Sequence, residues 1–293
     1  MSPFATRNRT FAAAVALLAI AVASCDTIPG EPGSSVLSRA EADALAQVIA
    51  TDLEGLPEAA AYDPAGEIPF GAAPATSSTA ECVTRSPDPV VNSDDDPVPD
   101  SVRLTYTACV FSRPTVTVEL NGIVDVLDLN PAVTDHAIRW VLRDFTRTVT
   151  FLMGGGTTTT VENGTRLVSA TSSVLQHQLI DFTSEVTFPN GSTGLHEKDW
   201  ATTFTADVAG SIAPRQRLPS GTWQIDGTSA WTHGDRGSSL DVSTEVPLHY
   251  NAECTAAPKF DAGTLVIVMS RGDRTATVTI QYTACGQYTV TRS

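Results

Sequence analysis

The sequence predicts an all-β protein. It should be an antiparallel meander forming a sandwich or a curled, partly open barrel, with one N-terminal amphipathic helix ahead of it. Three observations carry this. From Cys82 onward the hydrophobic pattern has a period of two, Gly-containing turn pairs punctuate it, and no helical period interrupts it after residue 80.

The first segment reads as a targeting signal. Arg7 and Arg9 make a short basic stretch, and residues 11–23 are an uncharged apolar run too short to span a bilayer. The run ends in Val22-Ala23-Ser24-Cys25, small residues followed by a cysteine. This resembles the lipobox of bacterial lipoproteins. The resemblance implies that residues 1–24 are removed and that Cys25 is acylated. The lipid bilayer is then a partner, held stably once two or more acyl chains are attached.

Removing residues 1–24 takes away Arg7 and Arg9 and no acid, so the formal charge moves from −15 to −17. So acidic a chain lacks the phosphate-neutralising surface that nucleic acid requires. Anionic headgroups would repel it, so the anchor must supply the membrane affinity.

Residues 25–37 are rich in Pro, Gly and Ser and read as a flexible tether. Ser38 and Glu41 then form a capping box that opens a helix over 38–56. Leu45, Val48, Ile49 and Leu56 recur at helical spacing, and Gly55 and Pro57 stop the run. Residues 57–79 show little periodicity and read as a linker. Residues 80–293 are left as a single β domain.

Within that domain Val102, Leu104 and Tyr106 alternate with Arg103, Thr105 and Thr107. Trp200, Thr202, Phe204, Ala206 and Val208 oppose Thr203, Thr205 and Asp207, and Val278, Ile280 and Tyr282 oppose Thr277, Thr279 and Gln281. Apolar on one side and hydroxyl or acid on the other is the pattern of an antiparallel sheet with one wet face. Asn121-Gly122, Asn163-Gly164, Asn190-Gly191 and Asp226-Gly227 read as tight hairpin turns, as do residues 234–237 and 271–273. About ten to twelve strands fit the length.

Two words occur twice: Ala-Glu-Cys at 80–82 and 252–254, and Tyr-Thr-Ala-Cys at 106–109 and 282–285. With Cys25 acylated, four cysteines remain, an even number in an exported chain, which points to disulfides. Four cysteines allow three pairings. The repeated words select Cys82–Cys109 and Cys254–Cys285, one bridge per copy. Zinc is the rival reading, but no C-x-x-C pair is present.

The region from Cys82 to the C-terminus resembles a group of uncharacterised β-rich bacterial lipoproteins. The resemblance lies in an early Cys pair, Thr-rich alternating strands, the stretch Gly221–Ala230, the stretch Thr244–Cys254, and a closing strand that ends in Cys285. It implies a β fold and an envelope location, and carries no activity.

Candidate chemistry is sparse. The five histidines, His136, His177, His196, His233 and His249, show no zinc spacing. His196, Glu197, Lys198 and Asp199 are consecutive, but strand neighbours point to opposite faces, and a solvated hairpin is expected. Asp94, Asp95, Asp96 and Asp100 could offer oxygens to calcium, with Asp94, Asp96 and Asp100 as the metal candidates and calcium the only cofactor indicated. An acidic loop is the plainer alternative. Arg139, Arg143 and Arg147 fall at alternate positions with Val141 and Phe145, a basic stripe that could hold an anion or pair with Glu119 or Asp125. Trp231 could stack on a sugar or a partner, while Trp200 and Trp223 belong to the core.

These features lead to an expected function. The protein should be a lipid-anchored, extracytoplasmic and non-enzymatic β domain, periplasmic or surface-facing, that binds or scaffolds an envelope protein, glycan or lipid. One alternative is a carrier of lipid or another apolar ligand in a half-barrel groove. The other is an enzyme of unrecognised type, which would require His, Asp and Glu from different strands to converge.

Overall fold

The computed structural model describes residues 82–293, apart from 95–97, 113–115, 133–135, 153–155, 214–215, 234–235 and 257. The expected signal segment, tether, helix and linker therefore lie outside the described residues. The rest is all-β. Twelve strands follow one another: β1 (Val83–Ser86), β2 (Ser101–Ser112), β3 (Val116–Asp128), β4 (His136–Phe151), β5 (Gly156–Ala170), β6 (Val174–Thr187), β7 (Thr193–Ala206), β8 (Gly221–His233), β9 (Arg236–Tyr250), β10 (Phe260–Arg271), β11 (Arg274–Ala284) and β12 (Gln287–Arg292). They form one antiparallel sheet in strict sequence order, and β1 and β12 do not pair, so the sheet is not closed into a barrel.

One face of the sheet is buried. Ile138, Trp140 and Leu142 of β4, Phe204 of β7, Trp223 and Ile225 of β8, Leu265 and Ile267 of β10, and Val278 and Ile280 of β11 all turn inward. Aromatic rings run in a row over one half of this face. Phe204 meets Trp223 at 5.1 Å and Tyr250 at 6.5 Å, Tyr250 meets Phe260 at 6.3 Å, Phe260 meets Tyr282 at 5.2 Å, and Tyr282 meets Tyr288 at 5.9 Å. Cross-strand pairs of this kind stabilise a sheet and fix its register.

A line of bulges crosses the other half. Ala108, Asp144 and Asp181 take positive φ on β2, β4 and β6. Asn121-Gly122 and Asn163-Gly164 stand beside them on β3 and β5. Two of the expected hairpin turns are thus strand interiors, and Asp226-Gly227, inside β8, is a third; of the four, only Asn190-Gly191 turns a hairpin. The reason is local. A bulge leaves one backbone N–H outside the ladder. Here the Asn side chain supplies the acceptor: Ala108 N–H donates to Asn121 Oδ1 and Asp144 N–H to Asn163 Oδ1, each at 2.7 Å. The following glycine lets the next bulge approach. A Cβ on Gly122 would lie 2.6 Å from Asp144 O, and one on Gly164 2.6 Å from Phe182 Cα. Asn-Gly here seats a bulge, using the same φ freedom that a turn would use.

Both expected disulfides are present, Cys82–Cys109 and Cys254–Cys285, with Cα separations of 5.2 and 5.7 Å. The first joins Cys82, just before β1, to Cys109 within β2; the second joins Cys254, in the β9–β10 connection, to Cys285, just after β11. Tyr106 and Tyr282 of the repeated words both turn to the buried face, and Tyr106 meets Phe145 edge-on at 5.4 Å across Gly122.

Candidate functional site

On either side of the bulge line the buried face becomes polar. On β5 the inward positions are Thr158, Thr160, Glu162 and Arg166, on β6 His177 and Ser184, on β7 His196, Lys198 and Thr202, and on β8 Ser229 and Trp231. Register gathers those beyond the bulge line, while Arg166, His177 and Thr202 lie on its near side, with His177 opposite Val168 and Thr202. Glu162 stands opposite Ser184, Ser184 opposite His196, and His196 opposite Trp231. The next row holds Phe182, Lys198 and Ser229, and Arg147 of β4 stands opposite Thr160. Directly opposed side chains on one face start about 5 Å apart, so the row joins four strands into one site.

The groups are deeply placed. Glu162 and His177 are each 8% exposed, Ser184 6% and Ser229 4%. Glu162 Oε2, Arg147 Nε and His177 Nε2 are buried and find no hydrogen-bond partner among the described residues. His196 Nε2 and Ser229 Oγ lie 2.6 Å apart. Trp231 meets the His196 ring edge-on at 5.3 Å, and its indole lies over Gly194, where a Cβ would fall 2.9 Å from Cζ2. Arg166 sits over the Trp140 ring at 5.5 Å.

Burial governs the charges. It raises the Glu162 carboxyl above the usual range, against the pull of Arg147, Lys198 and Arg166. It lowers Arg166 to about 10, against the pull of Glu162. Burial, helped by Arg166, lowers His177 to about 3, and burial, helped by Lys198, does the same to His196. At neutral pH the site therefore holds the uncharged His196 imidazole and three cations around the Glu162 carboxyl, with His177 uncharged across the bulge line.

The anticipated basic stripe does not exist as one surface. β4 advances three residues between Leu142 and Phe145 while β5 advances two. The bulge turns Phe145 and Arg147 to the buried face and leaves Arg139 and Arg143 on the other. Arg143 pairs there with Asp125 at 3.2 Å, beside Arg103 at 2.6 Å. Residues 196–199 are not a hairpin either: they lie inside β7, where His196 and Lys198 enter the cluster while Glu197 and Asp199 are exposed. Trp231 is half-buried in the cluster, and Trp223 is core.

Of the calcium candidates, Asp100 accepts from Ser93 N at 2.7 Å and Ser93 Oγ at 2.5 Å, and those bonds lower its pKa. Asp96 lies outside the described residues. Among the described residues no group of three His, Cys, Asp or Glu is placed to hold a metal ion.

Glu162, Arg166, His177, Ser184 and Ser229 were not singled out by the sequence. Glu162 and Arg166 flank Asn163-Gly164, and reading that pair as a turn hid the strand that carries them.

No protein-family model, curated protein or solved structure matches this chain.

Proposed function

We propose that this is a lipid-anchored binding protein of the bacterial envelope, extracytoplasmic, whose β domain takes a polar ligand along the Glu162–Ser184–His196–Trp231 row. The lipobox-like Val22–Cys25 stretch supports the anchor, and two disulfides suit an oxidising compartment. One observation carries the binding reading. Glu162 Oε2 and Arg147 Nε, on the adjacent strands β5 and β4, are buried without a hydrogen-bond partner among the described residues. Such groups cost free energy unless something completes their hydrogen bonds. The apolar half of the face is already buried by packed side chains, which favours a polar ligand over a lipid.

Two measurements test this. Metabolic labelling with an alkyne fatty acid should mark the protein and fail on Cys25→Ala; an unlabelled wild type overturns the anchor. A thermal-shift screen of polar metabolites should yield stabilisers whose effect is lost in Glu162→Gln; a screen without such a compound overturns the binding reading.

The His196–Ser229 pair supports a second reading, an acyl-transfer enzyme with Ser229 as nucleophile. An imidazole with a pKa of about 3 is a poor base at neutral pH, so binding is preferred. Labelling of Ser229 by a fluorophosphonate, absent in Ser229→Ala, would reverse that preference.

A further inference from the structure

We infer that the ligand is an acidic sugar, a polyhydroxylated ring bearing a carboxylate. This rests on the reading of the cluster as a ligand site. The inference comes from what the cluster lacks. Among the described residues Arg147 Nε is a buried donor without an acceptor, and Glu162 Oε2 is a buried acceptor without a donor. A molecule that carries both an anionic acceptor and hydroxyl donors meets the two together, and a guanidinium favours a charged acceptor.

Inorganic phosphate gives Arg147 an anion but brings only one or two O–H donors, too few for the hydroxyl-rich lining. A neutral sugar gives Glu162 its donors but offers the Arg147 guanidinium only uncharged oxygens, the weaker acceptors. A sugar acid answers both: its carboxylate meets the Arg147 guanidinium, and its ring hydroxyls meet Glu162. Guanidinium and carboxylate match in planar geometry.

The remaining lining fits the same chemistry. Thr160, Ser184 and Ser229 present buried hydroxyls on this face. Each can donate or accept, as recognition of a polyol requires. His196 is engaged with Ser229 and adds no charge. Trp231, half-buried at the end of the row, offers an apolar flank to a ring.

The test is calorimetric titration of the full chain in detergent with glucuronate, glucose and inorganic phosphate. Glucuronate should bind at least tenfold more tightly than either comparator. Arg147→Gln should weaken glucuronate at least tenfold, and Ser184→Ala, a smaller change, several-fold with unchanged thermal unfolding. Equal or tighter binding of phosphate or glucose overturns the inference, as does unchanged glucuronate binding by both variants. If glucuronate fails while another compound binds in a Glu162-dependent way, the acidic-sugar inference falls and the binding site stands. If nothing binds, both fall.

Discussion

His249 Nδ1 lies 2.5 Å from Asp261 Oδ1, and the same ring reaches Asp207 Oδ2 with its Nε2 at 2.9 Å. The imidazole thus ties β9 to β10 and to the β7–β8 connection. Asn251 Nδ2 donates to the other Asp261 oxygen at 2.8 Å. Partial burial opposes the charged ring, but the two carboxylates outweigh it and raise the His249 pKa above 6.5. Burial likewise opposes the Asp261 carboxylate, and His249 and Asn251 outweigh it, lowering that pKa below 3.8.

The clamp therefore has a pH window. A raised His pKa contributes stability that is complete below 6.5 and is lost as pH rises through the folded value. A lowered Asp pKa contributes stability above 3.8 that is lost as pH falls through the folded value. His249→Gln should cost about 1 kcal/mol near pH 5, because partly exposed pairs are worth little more. The cost should shrink above pH 8. Urea unfolding of both proteins at pH 5 and pH 8.5 checks this; equal losses at both pH values count against the clamp.

His177 and His196 act in the opposite sense. Their folded pKa values of about 3 lie far below 6.5, so the unfolded chain takes up protons first as pH falls. Stability should drop between pH 6.5 and 3, by up to about 1.4 kcal/mol per pH unit for each ring. Histidine→Gln at both positions should flatten this acid limb. A limb of unchanged slope in the double variant would place the acid sensitivity elsewhere.

Glu162→Gln should raise stability at neutral pH. The wild-type carboxyl resists ionisation when folded but ionises freely when unfolded, so stability falls as pH rises above 4.5. The gain should be on the order of 1 kcal/mol at pH 7 and vanish below pH 4. Thermal unfolding of the two proteins at pH 4 and pH 7 measures it; a destabilised variant at pH 7 would mean that the carboxylate's attraction to Arg147 outweighs its burial.

Gly164→Ala should be severely destabilising, by about 3 kcal/mol or more, because its new Cβ meets backbone at a positive φ. Asn163→Ala should cost about 1–2 kcal/mol through the unmet Asp144 N–H. Chemical denaturation separates the two, and comparable losses would argue against the bulge-seating role of the glycine.

Each disulfide closes a loop, with sequence separations of 27 and 31. Replacing either pair by Ala should cost about 3.5 kcal/mol by chain entropy. Before reductant is added, none of these four thiols should take up an alkylating reagent, as mass spectrometry would show.

Much of the fold was legible in the sequence because its determinants are local. Period-two alternation marks a strand wherever one face is buried, and it correctly separated His196 and Lys198 from Glu197 and Asp199. The repeated words paired the cysteines because each copy carries its own bridge. What stayed hidden depended on neighbouring strands. Asn-Gly accepts positive φ in a turn and in a bulge alike, and the choice was made by Ala108 and Asp144, which need an acceptor for a displaced N–H. That choice moved Arg147 to the face opposite Arg143. The polar cluster is a property of register, since Glu162, Ser184, His196 and Trp231 are far apart in the chain and become neighbours only when four strands align.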